Sequence, residues 1–450
     1  MNFMTDVLER YIEKSNADLC VLRWMRREQL QAILNDENPG TSSQVILSGI
    51  GCRSLIVGSW GFASTTDIND ISDIMETSER YAQYRRGTVS IPNVPKYTIK
   101  HEKDLYPLEI IDEFFKSARD AHNTIKDIPQ VVSSSIGVMI VTDQKTIVTT
   151  DGVSVETYEP RILESVTVLV RSNSNMCYYT EVVGGEFVYP HGDILSEVAE
   201  KAVATALHRL RGKSPPSGLQ NVLLGGEVVG LLAHEAVGHA AEADIVRRGS
   251  FLTGKEGQCI ASPLVSVIDD ACLEKGFGTI MVDDEGICGR KTVIIEKGIV
   301  SDFLHNRETA HEYGSEPTGN ARAWLYSREP VIRMTNTFLE PGDATFEELL
   351  EDIKEGVYIQ GSEGGNVNPD GSFMIIATLA QKIEKGELQN QFYMGPAIVG
   401  DALKILGNIG DVGDRNTFVM VPSICSKGGS AFVGQGGPAI TTELVLGGYQ

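Results

Sequence analysis

The stretch LLAHEAVGHAAEAD, residues 231 to 244, constrains the fold more than any other part of this 450-residue chain. Two histidines, His234 and His239, lie on either side of Glu235 in an apolar and mostly helix-forming segment. Two imidazoles and a carboxylate are costly to bury together unless they bind something. In a regular helix, however, side chains five residues apart point about 140° away from each other. A regular helix would therefore not bring both histidines to one metal ion.

Two local structures would resolve this mismatch. A single π turn absorbs one residue and returns both histidines to a common face, and such turns are frequent at functional sites. Gly238, a poor helix former directly before the second histidine, is where we place that distortion. Alternatively, the helix ends there and His239 lies in a turn. The helix-forming residues that follow, HAAEADIVRR, favour the π turn. The simplest alternative without a metal is a core helix whose histidines are hydrogen-bonded by their neighbours.

A metal site here would need a third protein ligand. Catalytic zinc is usually held by three side chains, and a water occupies the fourth position. The nearby carboxylates of Glu242 and Asp244 could supply the third ligand, and so could a distant cysteine or histidine. The spacing along the chain does not choose between them.

Composition excludes several classes of function. The net charge is −22 and Lys and Arg are not clustered, which argues against nucleic acid as a partner and disfavours an anionic membrane surface. No apolar run approaches the roughly 18–20 residues that span a bilayer, and the N-terminus lacks the pattern of a signal peptide. The 7 cysteines are scattered and never form a CxxC pair, as is typical of a reducing compartment. We therefore expect a cytoplasmic protein.

The segment GKSPPSG, residues 212 to 218, is the clearest boundary along the chain. It predicts an N-terminal and central region over 1–212, a linker over 213–218 and a C-terminal domain over 219–450. Helical and strand-like segments alternate irregularly in the N-terminal α/β region, without strict βαβ repeats, and the C-terminal domain is β-rich. The predicted class is therefore α+β, with mixed or antiparallel sheets and packed helices.

Three local signals support the β-rich character of the C-terminal half. Two Glu-Lys-Gly segments lie between strand-like runs and predict hairpins in which Gly298 and Gly386 take positive φ. Between them, Thr345 and Glu348 form the capping-box pattern of a helix that we expect to end at Gly356.

Several ordered motifs resemble the TldD/PmbA family of metallopeptidases. They are HEAVGH with Glu242 and Asp244, DDEG (283–286), PTGNARA (317–323), RMTNTFLEPG (333–342), GVYIQGSEGG (356–365) and CSKGG…VGQGGP (425–438). The resemblance covers residues 220–450 in collinear order and the segment 45–210 more weakly. The family has a zinc-bearing TldD branch and a TldE/PmbA branch that lacks the His-Glu motif. This chain resembles the TldD branch.

The resemblance implies a zinc peptidase and assigns roles to residues. His234, His239 and Cys425 match the Zn²⁺ ligands, and Glu235 matches the catalytic glutamate, which would act as general base. We also expect the glycine-rich segments 361–365 and 428–437, among them Gly364, Gly365 and Gly434, to line the substrate cleft. Three polar side chains are further cleft candidates: Asn320, Arg322 and Arg333. Arg333 could equally be a structural ion-pair partner.

The same resemblance implies unfolded or small peptides as substrates. It also implies a dimer, either of two identical chains or of this chain with a TldE/PmbA-type paralogue. The competing hypothesis is a non-catalytic subunit of a TldD/TldE-like assembly that holds peptides without cleaving them.

Overall fold

The structure is a computed structural model that describes residues 3–84, 86–92, 94–100, 110–186 and 194–447. These residues form a mixed α+β fold, which confirms the predicted class. No described helix is long and apolar enough to cross a membrane. The helices are α1 (Phe3–Ile12), α2 (Ile71–Gln83), α3 (Ile110–Ile125), α4 (Ile194–Arg211), α5 (Gly226–Leu232), α6 (Ala243–Val246), α7 (Arg307–Tyr313), α8 (Phe346–Ile353) and α9 (Ala402–Gly407).

The strands are spread along the whole described chain. They are β1 (Leu19–Asn35), β2 (Thr41–Ile56), β3 (Ser59–Thr65), β4 (Tyr97–Ile99), β5 (Val131–Thr149), β6 (Val153–Ser172), β7 (Asn175–Glu186), β8 (Gly218–Leu224), β9 (Val267–Asp270), β10 (Lys291–Glu296), β11 (Ile299–Val300), β12 (Ala321–Arg322), β13 (Val331–Ile332), β14 (Asn336–Leu339), β15 (Glu355–Val367), β16 (Ser372–Glu384), β17 (Glu387–Met394), β18 (Ala397–Asp401), β19 (Val419–Ser426), β20 (Ser430–Gly437) and β21 (Ile440–Gly447).

The N-terminal half is built on one sheet of long strands in the order β3-β2-β1-β5-β6-β4, and β7 also pairs with β6. All of its pairings are antiparallel except that of β4 with β6. Successive side chains of a strand point to opposite faces. On β1, Cys20 and Leu22 accordingly pack with α1 and α2, whereas Leu19 and Val21 pack in a separate cluster that includes Val282 from the C-terminal half. The sheet therefore has a core on both faces.

The C-terminal half contains two larger sheets. One has the order β11-β10-β9-β14-β20-β19, so β19 lies at its edge. The other has the order β15-β8-β21-β18-β16-β17, and β15 also pairs with β16. That extra pairing closes five strands into a barrel and removes their open edges. Lys213, in the predicted linker, forms two backbone hydrogen bonds with β17. The division of the chain at 213–218 remains a prediction.

The two predicted hairpin turns are confirmed. Gly298 has φ of 84° and Gly386 has φ of 76°, and each follows a lysine that also has positive φ. Positive φ at both central residues is the geometry of a two-residue turn whose twist matches the flanking strands. The hairpins β10–β11 and β16–β17 are joined in this way.

The capping box of α8 is also confirmed, but the predicted end of this helix is wrong. Thr345 and Glu348 exchange both hydrogen bonds of the box. The helix ends at Ile353, and Gly356 lies inside β15, where it pairs with Ile383. An added Cβ at Gly356 would collide with the backbone carbonyl of Asn221 on β8, so this glycine allows two strands to approach closely.

The segment that carries the two histidines begins directly after the barrel strand β8. Helix α5 runs into a π turn over Ala233–Gly238, in which the backbone N–H of His239 donates to the carbonyl of His234. This bond spans five residues and is the one that defines a π turn. The predicted π distortion is therefore confirmed.

The expectation that a helix continues beyond His239 is wrong. A single 3₁₀ turn follows over His239–Ala241, and Glu242 is extended. The neighbouring backbone groups bond across to Leu304, whose N–H donates to the Ala241 carbonyl and whose carbonyl accepts from Ala243. These tertiary hydrogen bonds replace those of the next helical turn.

Small residues let this segment lie close to two strands. An added Cβ at Gly230 would lie 2.7 Å from the backbone nitrogen of Gly436, on β20. An added Cβ at Gly238 would collide with the sulfur of Met334, which is fully buried. Close packing against β20 therefore requires glycine at position 230, and an added side chain at position 238 would force the buried Met334 to move.

We predict that Gly238→Ala destabilises the protein by about 1–3 kcal/mol, the usual cost of overpacking a filled core. The control is Gly407→Ala at the exposed end of α9, where an added Cβ meets nothing within 4 Å. Because the control removes only backbone freedom of the unfolded chain, we expect it to be neutral or slightly stabilising. Urea unfolding monitored by circular dichroism measures both, and equal stability of the two variants would contradict the prediction.

Candidate metal centre

Three side chains from two distant parts of the chain meet at the π turn. Ligand atoms of His234, His239 and Cys425 all lie within 4.8 Å of one another. His239 Nε2 is 3.2 Å from the sulfur of Cys425, which is near the end of the edge strand β19. The two imidazole rings have centroids 5.0 Å apart and are inclined by 78°. The structure thus brings together the three residues that the family resemblance suggests as metal ligands.

The environment of His234 fits a metal ligand. This side chain is 1% exposed, and neither of its ring nitrogens has a hydrogen-bond partner in the described part of the chain. An unpaired buried polar group is costly. Burial lowers the pKa of His234 well below its ordinary value, and the charges of His239 and Arg333 add to the effect. The imidazole is therefore neutral, as coordination requires, and imidazole nitrogen and cysteine thiolate are both ligands that zinc binds.

His239 has the opposite electrostatic surroundings. Burial alone would lower its pKa, but hydrogen bonds with Cys425 and Glu242 outweigh it and raise the pKa to about 10. The imidazole of His239 thus retains its proton at neutral pH. A metal ion bound here would displace that proton, because ligating histidine must be neutral and ligating cysteine must be a thiolate.

The two carboxylates that the sequence offers as alternative third ligands are engaged elsewhere. Lys427 Nζ lies 2.6 Å from Glu242 Oε2 and 2.7 Å from Asp244 Oδ1. Glu242 also lies beside His239, with Oε2 at 3.4 Å from Nδ1. Cys425 is thus the side chain that completes the cluster with the two histidines. Glu242 contacts His239 at Nδ1, the ring nitrogen that does not face Cys425.

Glu235 lies at the edge of the same site. It is partly exposed and lines a cavity of about 750 Å³ together with the two histidines and Cys425. Burial raises its pKa, His239 opposes this shift and Glu242 adds to it. A carboxylate with a raised pKa is a stronger base, which suits proton transfer near neutral pH.

Besides the segment that carries the histidines, three parts of the chain form the main walls of the cavity. One wall is β19 and its turn, residues 421–427, and another is the end of β15 with the loop that follows, residues 362–369. Gly364 and Gly365 belong to this second wall. Val182, on β7 of the N-terminal half, also lines the cavity, and no pattern in the sequence indicated this contribution.

Three of the other residues predicted to line the cleft do not line this cavity. Asn320 and Arg322 are buried and donate to the backbone carbonyls of Arg333 and Met334, respectively. Gly434 is buried in β20. The structure does not support the predicted substrate contacts of these three residues.

Arg333 is buried as well and lies outside the cavity, where it contacts the chain next to Cys425. Its Nη1 donates to the backbone carbonyls of Lys427 and Gly429, in the turn that follows Cys425. Arg333 therefore positions this turn. This is a structural role, as in the alternative prediction for Arg333, and not a contact with substrate. Lys427 is the residue that the sequence reasoning missed, although it lies within the CSKGG motif.

Known proteins resemble this chain in sequence and in fold. A sequence model described as the PmbA/TldA metallopeptidase C-terminal domain matches residues 217–445. A protein named metalloprotease from Methanothermobacter thermautotrophicus is 32% identical over 403 residues, which cover 87% of each chain. The chain belongs to the PmbA/TldD family of metallopeptidases.

Two further proteins resemble the chain over nearly its whole length. A protein from Saccharolobus solfataricus named zinc metalloprotease TldD homolog is 29% identical over 452 residues, covering 98% of this chain and 99% of its own. The crystal structure of TldE from Thermococcus kodakarensis superposes with a TM-score of 0.80 at 19% identity, covering 98% of this chain and 99% of the other. At that identity the second match establishes the fold alone.

We predict that the purified protein binds one zinc ion and that Cys425→Ser weakens the binding strongly. Loss of an outer-shell partner typically costs roughly 10–100-fold in metal affinity, and loss of a direct ligand should cost more. Cys259→Ser, at an exposed cysteine, is the matched control. Competition with a chromophoric chelator measures both, and a Cys425→Ser variant with the affinity of the control would remove Cys425 from the site.

Proposed function

We propose that this chain is a zinc-dependent peptidase that hydrolyses peptide bonds of unfolded or small peptide substrates. The observation that carries the proposal is the His234, His239 and Cys425 cluster, whose ligand atoms lie within 4.8 Å, with Glu235 lining the same cavity. The names of related metalloproteases, one of them a zinc enzyme, support the same activity. The proposed location is the cytoplasm, since all seven cysteines are free thiols.

His234, His239 and Cys425 would hold the zinc ion. Zinc bound there would polarise the scissile carbonyl and lower the pKa of a water molecule towards about 7. Glu235 would accept a proton from the attacking water as general base and return it to the departing amine. The partly buried position of Glu235 strengthens it as a base and leaves it accessible to substrate.

The shape of the cleft favours an extended peptide. Strand β19 pairs with β20 on one side only, and its residues 421–426 line the cavity. A second cavity of about 630 Å³ shares Val182, Ser362, Val421 and Pro422 with the first and is also lined by Val419 and Met420. A peptide that adds as a strand to the edge of β19 would therefore extend from one cavity into the next. Backbone pairing of this kind would give low sequence specificity.

The proposed assembly is a dimer, either of two such chains or of this chain with a TldE/PmbA-type paralogue. A paralogue of the same fold could enclose the cleft and restrict access to unfolded chains.

The first prediction for this function concerns Glu235. Glu235→Gln keeps the shape of the side chain but cannot accept a proton, so we expect turnover to fall by roughly 10²–10⁴-fold, with zinc content unchanged. The control is Glu363→Gln, because Glu363 also lines the cavity but is ion-paired with Arg209. Its loss of turnover should be far smaller.

Kinetics on a fluorogenic peptide and elemental analysis of the same samples provide the measurement. Full turnover in Glu235→Gln would exclude Glu235 as the base. Wild-type protein that contains zinc and binds peptides without cleaving them would instead support the alternative of a peptide-holding subunit.

The second prediction concerns the binding of peptide backbone to β19. Methylating a peptide nitrogen that faces the strand edge removes one hydrogen bond, which should weaken binding to Glu235→Gln protein by about 0.5–1.5 kcal/mol. Successive backbone N–H groups of a strand point to opposite sides, as successive side chains do. Methylation of the neighbouring nitrogen, which points away from β19, is therefore the control. Equal effects at both positions in fluorescence-anisotropy titrations would exclude strand addition.

A further inference from the structure

Lys427 connects the two chain segments that carry the clustered side chains. It follows Cys425 by two residues. Its Nζ lies 2.6 Å from Glu242 and 2.7 Å from Asp244, two residues that follow His239 closely in the sequence. The same ammonium donates to the backbone carbonyl of Ile332 at 3.2 Å. All three donor positions of the lysine are therefore used, and its side chain is 19% exposed.

Glu242 lies between Lys427 and the second histidine. Its side chain is fully buried, and Oε2 both accepts from Lys427 and lies 3.4 Å from His239 Nδ1. The other ring nitrogen of His239, Nε2, faces the Cys425 sulfur. A carboxylate beside Nδ1 favours the proton on that nitrogen and leaves the Nε2 lone pair directed at the cluster. Metal-binding histidines usually have such a partner, which sets both the tautomer and the ring orientation.

The backbone around both residues is restrained. Glu242 lies where the chain bonds to Leu304, and the carbonyl of Lys427 accepts from the buried Arg333. Strand β19, in contrast, is paired on one side only. Side-chain contacts that cross to the helical segment therefore add to the pairing with β20 in fixing the position of Cys425, and Lys427 makes the shortest of these contacts.

We propose that Lys427 and Glu242 act as a pair of positioning residues for the metal centre. Glu242 orients the His239 ring, and Lys427 supplies the counter-charge for the buried carboxylate while it holds the end of β19, and with it Cys425, at the distance of the histidines. This inference rests on the metal site of the proposed function, but it does not depend on which bond the enzyme cleaves.

The test is the zinc affinity of Glu242→Gln and Lys427→Met protein, measured by chelator competition without substrate. Loss of an outer-shell partner typically weakens metal binding by roughly 10–100-fold, and we expect a loss in this range for each variant. Glu242→Gln is isosteric, so the test does not depend on whether Lys427→Met folds. Lys427→Arg keeps the charge and should recover part of the affinity.

Two controls separate positioning from general stability. Asp244→Asn removes the other ion pair of Lys427, which has nearly the same length but does not touch His239. Arg247→Met removes a cation that bridges Glu308 and Glu312 away from the cluster. For Arg247→Met we expect zinc affinity within about threefold of the wild type, because an ion pair remote from the ligands contributes little. For Asp244→Asn we expect a smaller loss than for Glu242→Gln, because Lys427 keeps its contacts with Glu242 and Ile332.

A spectroscopic measurement adds a readout that a purely structural role would not change. In the cobalt-substituted protein, the visible absorption reports the ligand geometry, and we expect it to shift in Glu242→Gln but not in Asp244→Asn. Wild-type zinc affinity in both Glu242→Gln and Lys427→Met would overturn the proposal. It would also be overturned if the two control variants lost as much zinc affinity as these two variants. Wild-type protein that binds zinc tightly but cleaves no peptide would contradict the peptidase alone.

Discussion

The candidate centre depends on one backbone hydrogen bond, from the N–H of His239 to the carbonyl of His234. In an α-helix, side chains five residues apart point away from each other. The π turn that this bond closes brings them to the same face. The glycines of the same segment allow it to lie against β20 and Met334, where a longer side chain would not fit. Close packing thus supports a local geometry that is rare in isolated helices, and both histidines reach the sulfur of Cys425.

Buried polar contacts connect the N-terminal sheet to this centre. Asp284 lies 3.3 Å from Arg23 and 3.4 Å from Lys145, both on the N-terminal sheet, and accepts from the backbone N–H of Ala323. Three residues before Ala323, Asn320 donates to the carbonyl of Arg333. The side chain of Arg333 in turn donates to the turn after Cys425. The motifs around residues 283–286 and 317–323 therefore act as scaffold for the cluster. Breaking such buried pairs is costly, because each leaves an uncompensated charge.

Sequence patterns predicted those features that depend on neighbouring residues. The capping box of Thr345 and Glu348 and the hairpin turns at Gly298 and Gly386 are local, and the structure contains all three. The predicted helix end at Gly356 failed because a glycine can serve a turn or a close strand contact, and the sequence does not distinguish them. Arg322 was predicted to contact substrate although it is buried. A polar residue in a glycine-containing motif can bind substrate or hold the backbone, and the sequence does not distinguish these roles either.

The sequence by itself determined the α+β class and the family, because periodicity, capping residues and ordered motifs are all written along the chain. It favoured the π distortion over a helix end, but the structure decided between them. Only the tertiary structure decided how the third side chain of the cluster is chosen. Glu242 and Asp244 are close to the histidines in sequence, but both pair with Lys427, and Cys425 reaches His239 across 186 positions. Such a choice depends on how β19 lies against the π turn, and contacts between distant segments leave no periodic signal in the sequence.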